Sequence, residues 1–247
     1  MKRFLTLFKI EGRLALRGME GIFFGVLMPV GIAALIGIIC GNKPAFEGAS
    51  YTFIEGSFAA LITVGICATA FMGIPLGIAD YRDKKILKHY FTTPVSPALL
   101  LFIQVMIAMI NAVISSLAVY LMMKIGFGYE MRGSALGFIG AYVLVMGAMY
   151  SIGMLMASLC RTVKQANLVC NLVYFPMFLL SGASIPYEVF PKSLQYVANV
   201  LPLTQGIKLL KGYSLGLEQS NLLTPIVILV GIAIISVTIS IKQFRWE

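Results

Sequence analysis

Six stretches of this chain run without a single Asp, Glu, Lys or Arg: Gly21 to Gly41, Phe58 to Ala79, Ala98 to Met123, Gly133 to Cys160, Ala166 to Ala183 and Leu222 to Ile241. A helix rises about 1.5 Å per residue, so about 20 residues cross a hydrocarbon core of roughly 30 Å. The runs are continuous, whereas barrel strands alternate over segments of about ten residues, so helices must satisfy the backbone. The pattern predicts an all-α integral membrane protein, residues 1–247 forming one domain with six transmembrane helices. About twenty polar-rich residues precede the first run, which is longer than a signal-peptide core and is expected to stay in the mature chain.

The segments between the runs are the informative ones. On a helix, at about 100° per residue, Lys2, Thr6, Lys9, Arg13 and Arg17 fall within roughly 80° of one another. Phe4, Leu7, Phe8 and Leu14 face away, with Arg3 and Glu11 interrupting the apolar side. Residues 1–20 are therefore expected to lie along the membrane surface as an amphipathic interfacial helix. It serves either as a basic anchor or as a surface for a cytoplasmic partner. Asp80 to Tyr90 contains no Gly or Pro, and Thr93-Pro94-Val95-Ser96-Pro97 then stops it. A short helix across the membrane surface is expected there, within the 80–97 loop. It either passes a push to the second and third spans or is a solvated connector. His89, the one histidine, reads as a solvated or interfacial residue of that loop.

Residues 184–221 hold moderately apolar pieces, Val189 to Val200 and Leu203 to Tyr213, separated by Pro186, Pro191 and Pro202. Each is too short to cross. Broken helices at membrane depth survive only when packed on protein or lining a watery cavity, so a re-entrant pair is expected, with a soluble outer cap as the alternative.

Composition agrees with the membrane reading: 59% hydrophobic and only 12% charged residues, where a soluble domain carries about 25% charged. Thirteen of the nineteen Lys and Arg lie before Gly21, in the 80–97 loop, at Arg161 and Lys164, and after the last span. By the positive-inside rule both termini are cytoplasmic. The net charge of +9 is then a topology signal with affinity for anionic lipid, not a nucleic-acid footprint. Cys40, Cys67, Cys160 and Cys170 lie in or beside apolar runs without C-x-x-C spacing, and read as small apolar side chains with no metal site.

Polar residues within the runs mark translocation-path candidates. Gln104, Asn111 and Ser115 share one face of the third span, and Asn167 and Asn171 share one face of the fifth. An unpaired amide in hydrocarbon costs several kcal/mol, so these side chains should face protein or a cavity, as a path or as interhelical glue. Gly21-x-x-x-Gly25 and Gly73-x-x-x-Gly77 permit close helix contact, and Pro75 predicts a kink in span two. Glu55, in YTFIEGSF, is placed near the outer mouth, where it either influences cargo or is a solvated loop carboxylate. No G-x-x-x-x-G-K-[ST] occurs, so this chain holds neither ATP nor its Mg and any ATP must be bound by a separate subunit.

The order of these features resembles the membrane subunit of ABC-2 type ABC transporters. In that family a coupling helix after the second span reads like E-R-x-G-T-L-K, then an apolar residue and T-P-x-S. Asp83, Lys84, Leu87, Lys88, Thr93, Pro94, Val95 and Ser96 match it here, and Lys85-Ile86 depart where the family has Gly-Thr. After span five, Phe175-Pro176, Leu180-Ser181-Gly182, Ile185-Pro186, Phe190-Pro191 and Leu201-Pro202-Leu203-Thr204 resemble the family's F-P-x-x-x-L-S-G, P-x-x-x-x-P and P-L-T series. Another departure is Glu55, where the family frequently has Pro.

The resemblance implies a permease in a bacterial or archaeal cell membrane, paired with a second copy or a paralogue. A separate ATPase subunit would grip Asp80, Arg82, Asp83, Lys84, Leu87, Lys88, Thr93 and Pro94, with the interfacial residues Lys2, Lys9, Arg13 and Arg17 beside them. The expected cargo is lipophilic or amphipathic: a drug, an antimicrobial peptide or a lipid. A glycan exporter stays open, as does a secondary transporter or channel, although ion coupling usually leaves acids inside the spans and all ten here fall outside the six runs.

Overall fold

An apolar segment in hydrocarbon has only its own peptide groups to bond with, and the computed structural model shows long helices wherever the apolar runs were found. It describes residues 2–17, 23–41, 43–46, 48–86, 97–183, 187–217 and 222–243. The helices are α1 (Lys2–Arg17); α2 (residues 23–40, a π-helical turn Phe23–Leu27 followed by Met28–Cys40); α3 (Phe53–Asp83); α4 (Pro97–Phe127); α5 (Ala135–Leu159); α6 (Val163–Leu180); α7 (Lys192–Val200); α8 (Pro202–Leu215); and α9 (Leu223–Gln243). No strand occurs among the described residues.

Among the described residues five helices, α3, α4, α5, α6 and α9, are long and apolar enough to cross a membrane. Of the first expected span, the described residues form helix over 23–40, with Gly25–Cys40 its apolar part.

The second span differs from the run that predicted it. The 58–79 run predicted a crossing followed by a separate surface helix over 80–90, but α3 continues unbroken to Asp83. The chain then turns at Lys84 and Lys85, the latter at φ 55°. In the last turn of α3 Arg82 and Asp83 find partners at the ends of neighbouring helices, whereas Asp80 pairs with Lys84 of its own segment and Tyr81 meets Glu11 of α1. Residues 87–96, with Leu87, Lys88, His89, Thr93 and Pro94, lie outside the described residues.

Helix α3 is the hub: 78% of its apolar stretch is buried within the chain, against 22% for α6 and α9. Its sequence is rich in Gly and Ala, which lets neighbours approach closely. Gly25 of α2 meets Thr69, and Gly77 lies under the Gln104 amide. These two glycines of the G-x-x-x-G pairs therefore serve contacts inside this chain. Pro75 produces no sharp break. A π-helical turn, Thr69–Gly73, directly precedes it within α3, so Pro75 falls in the first turn of the α-helical segment Ile74–Asp83, where proline is tolerated. At the far end Phe58 packs on Tyr129 with ring centroids 4.4 Å apart, and on Phe138 and Tyr120 at 5.7 and 5.9 Å.

The 184–221 region contains α7 and α8. Pro202 opens α8, suited to a helix's first turn, and Gly216 ends it in the left-handed region at φ 66°. Leu203, Leu209 and Leu210 are fully buried among α3, α5 and α9. Helix α8 thus packs into the bundle against these three helices. Helix α7 stays peripheral, with Tyr196, Val197 and Val200 exposed.

Candidate functional site

Two groups of polar side chains sit at opposite ends of the bundle. The first surrounds the end of α3. A helix leaves its last carbonyls and first N–H groups unpaired, and here two adjacent residues of α3 satisfy another helix's tail and a third helix's head. The Arg82 guanidinium donates to the carbonyls of Ala157 (2.7 Å) and Cys160, at the end of α5. The Asp83 carboxylate accepts the Val163 N–H at 3.0 Å, at the start of α6. Each charge has the sign that its helix terminus attracts. The α5–α6 turn is closed by Thr162, whose hydroxyl accepts from the Gln165 N–H.

The same end holds α1. Leu7 packs on Leu100, Ile103 and Ile107 of α4, with Phe4, Phe8 and Tyr81 around them. Glu11, which seemed to interrupt the apolar side, is buried and accepts the Tyr81 hydroxyl at 2.7 Å. The interruption is thus an anchor onto α3. Lys9 and Arg13 are exposed on the opposite face. Lys2 and Arg17 belong to α1, but their side chains fall outside the described ones. Asp80 pairs with Lys84 at 2.8 Å on an exposed surface, a geometry that contributes only about 0.3–0.5 kcal/mol.

Lys85 occupies the backbone position where the resembled motif has glycine, and its φ of 55° is the reason a glycine fits there. A side chain in the left-handed region costs about 1 kcal/mol, so Lys85→Gly is expected to raise the unfolding midpoint of the purified chain slightly. A fall in the midpoint would show that the turn is held by the lysine itself.

The path candidates are not brought together. Gln104 and Ser115 face α3 at Gly77 and Gly65, and Asn111 between them is half-buried. Asn167 is exposed on α6 and Asn171 lies beside it, the Asn171 amide donating to the Asn167 side-chain oxygen at 2.6 Å and its carbonyl at 2.8 Å. They share that outer face with Leu168, Leu172 and Phe175. One polar row points inward and the other away from the chain, because span three's row lies against the central helix and span five's does not.

At the opposite end Glu55 is buried rather than solvated. It completes a capping box with Thr52, its carboxylate accepting the Thr52 N–H at 2.7 Å while its own N–H donates to the Thr52 hydroxyl. Its other oxygen pairs with Arg132 at 2.7 Å. Beside this pair a cavity of about 510 Å³ opens between α2, the start of α3, the end of α6 and α8. Two lysines of α8 line it. The Lys208 ammonium lies 3.8 Å from the centroid of the Tyr187 ring and donates to the Asn199 amide oxygen, while Lys211 lies 4.7 Å from the Tyr51 ring. Sequence reading counted both lysines only as topology charges. The signal that finds them is their spacing of three, which puts both on one face of a helix otherwise destined for the core.

Among the described residues no group of three His, Cys, Asp or Glu is placed to hold a metal. Cys67, Cys160 and Cys170 are buried free thiols and Cys40 is half-buried.

Comparison with known proteins places these features in context. A family model described as ABC-2 type transporter matches residues 2–213. The chain is 29% identical over 129 residues to the inner membrane transport permease YhhJ of Escherichia coli (strain K12), and to the same degree to YhhJ of Shigella flexneri. Each match covers 52% of this chain and 34% of the relative, so the chain spans about a third of the length of the curated relatives it matches.

Proposed function

The chain belongs to the ABC-2 type transporter family, and from that premise we propose that it is the membrane permease subunit of an ATP-driven exporter for a lipophilic or amphipathic cargo, namely a drug, an antimicrobial peptide or a lipid. The observation that carries this reading is the Arg82–Asp83 brace. Force applied to the loop after α3 reaches the end of α5 and the start of α6 through two charge-assisted contacts, so three spans move with one loop. A separate ATPase subunit with bound ATP and Mg would press on Lys84, Lys88 and the exposed Lys9 and Arg13, on the cytoplasmic side with both termini. The membrane is a bacterial or archaeal cell membrane.

The Asn167–Asn171 pair, with Asn167 exposed, supports a second copy or a paralogue as partner. Amides at membrane depth are stabilised by protein or water rather than lipid, and a facing permease supplies either. The described carboxylates of α3 all lie at its two ends and are engaged there, Glu55 by Thr52 and Arg132, Asp80 by Lys84 and Asp83 by the Val163 N–H, and Glu11 of α1 is engaged by Tyr81, so proton coupling in mid-span finds no described acid.

The test is reconstitution in vesicles with and without a cognate ATPase. The chain alone is expected to hydrolyse no ATP, and the complex to move an amphipathic dye only with ATP. Because Asp83 also caps α6, Lys84→Ala with Lys88→Ala is the cleaner uncoupling variant, expected to keep hydrolysis while transport falls. Robust uptake by the chain alone on an ion gradient, or full transport by that double variant, would overturn the reading.

A further inference from the structure

The weak points of helix α3 fall together, between Thr69 and Pro75. Thr69 turns its hydroxyl back onto the Gly65 and Ile66 carbonyls at 3.1 and 2.9 Å, a bond that competes with the helix ladder and favours bending. The π-helical turn Thr69–Gly73 follows, and then Pro75, which has no N–H to give to the ladder. Gly73 between them is exposed, with open space where a Cβ would stand. Gly25, in the π-helical turn of α2, meets the Thr69 methyl at the same level. The two sides of this level are held differently. Toward Glu55, residues 58–68 are buried without exception, and that segment packs on α2, α4 and α8. Toward Asp83, the segment Ile74–Asp83 buries one face, through Ile74, Pro75, Ile78 and Ala79, and packs mainly on α5 and α6. The π-turn itself is seated on α5, where Gly153 admits the Ala70 carbonyl and Tyr150 bonds Thr69 at 2.7 Å. Arg82 and Asp83 then tie the far end to the end of α5 and the start of α6. A fixed segment, a seated joint and a braced end make a lever.

We propose that the π-turn Thr69–Gly73 is the pivot of this lever, about which the Ile74–Asp83 segment turns and carries the Arg82–Asp83 brace while residues 58–68 stay in place. The segment has 10 residues; at about 1.5 Å each the brace lies roughly 15 Å from the pivot, so a bend of about 20° shifts it by roughly 5 Å. The π-turn is suited to this, since a ladder already carrying one extra residue and lacking one N–H has fewer bonds to break on bending. The part played in transport rests on the exporter reading above. The pivot itself is a property of the chain alone.

The measurement is the distance between two nitroxides, read by pulsed electron spin resonance on the whole chain in nanodiscs without an ATPase. They are attached through Lys84→Cys, beyond the pivot, and Ile241→Cys, with Cys40, Cys67, Cys160 and Cys170 replaced by alanine. Ile241 is exposed at the end of α9, which Ser240 fixes to the Met154 carbonyl of α5 at 3.2 Å, beside the pivot level. The distances are expected to spread over roughly the 5 Å that the bend allows. Gly73→Ala with Pro75→Ala, which add helix propensity and restore the missing N–H, should narrow that spread by about half or more and raise the thermal midpoint by about 2–4 °C. Gly147→Ala, with open space at its Cβ on α5, leaves the spread unchanged. In the complex with its ATPase the narrowed variant keeps hydrolysing ATP and transports less. Should the double variant fail to fold, Gly73→Ala alone decides, because nothing lies within 4 Å of its Cβ. A parent distribution no wider than the variant's overturns the pivot, as does equal narrowing in Gly147→Ala, since the stiffening would then be general. Full transport by the narrowed variant overturns its part in transport. If the exporter reading itself fails, the distances still decide whether the joint bends.

Discussion

Arg82→Ala is expected to lower the stability of the purified chain by about 2–3 kcal/mol, the usual cost of removing a charged donor from buried acceptors. The Ala157 and Cys160 carbonyls lie at the end of α5, where no intrahelical donor remains for them, and Arg82 supplies both. Arg82→Lys keeps the positive charge but not the planar fork that spans two carbonyls, and should recover only part of the loss. Thermal unfolding followed by a thiol-reactive dye reads this directly, because Cys67 and Cys170 are buried until the bundle opens. Within the proposed mechanism the same variant also lowers transport per ATP hydrolysed. An unchanged midpoint with unchanged transport would remove the brace from the account.

Gly153→Ala should be more damaging still. A Cβ added at Gly153 would lie inside the contact distance of the Ala70 carbonyl, which is backbone and cannot rotate aside. The approach is that close because Ala70 belongs to the π-helical turn Thr69–Gly73 of α3. The Thr69 hydroxyl donates to the Gly65 and Ile66 carbonyls, so Tyr150 of α5, 2.7 Å away, donates to Thr69. Tyr150 and Gly153 are three apart and share a face, so one face of α5 is fitted to the bulge by a hydroxyl and by a missing side chain. Overpacking against rigid backbone costs about 3 kcal/mol or more, and the expected outcome is loss of the folded chain from detergent extracts. Gly147→Ala, on the same helix with open space at its Cβ, is the matched control and should be tolerated. Equal behaviour of the two variants would refute the bulge contact.

Both effects depend on contacts that the linear pattern did not contain. The apolar runs located five long helices and the described part of α2 to within a few residues, because the cost of placing charge in hydrocarbon is set by the local composition of a segment. The resemblance of the 83–96 and 175–204 motifs was likewise legible, and the left-handed Lys85 explains physically why one position of the first motif favours glycine. The coupling helix expected over 80–90 was misplaced at its start, since helix propensity cannot tell whether polar residues at a span's end face water or a neighbouring helix terminus.

Partner choice belongs to the tertiary structure. Tyr81 meets Glu11 across 70 residues, Arg82 meets Ala157 across 75, and Asp83 meets Val163 across 80. Glu55 became a cap and an ion pair, and Lys208 and Lys211 came to line a cavity, by the same route. Amino-acid order alone determined that this chain lives in a membrane as helices, and which segments do so, because water is absent there and each peptide group must bond within its own segment. Which charge neutralises which helix end, and which face of each helix is left to lipid or a partner, was decided only when the helices packed around α3, because those energies depend on distances between segments far apart in the chain.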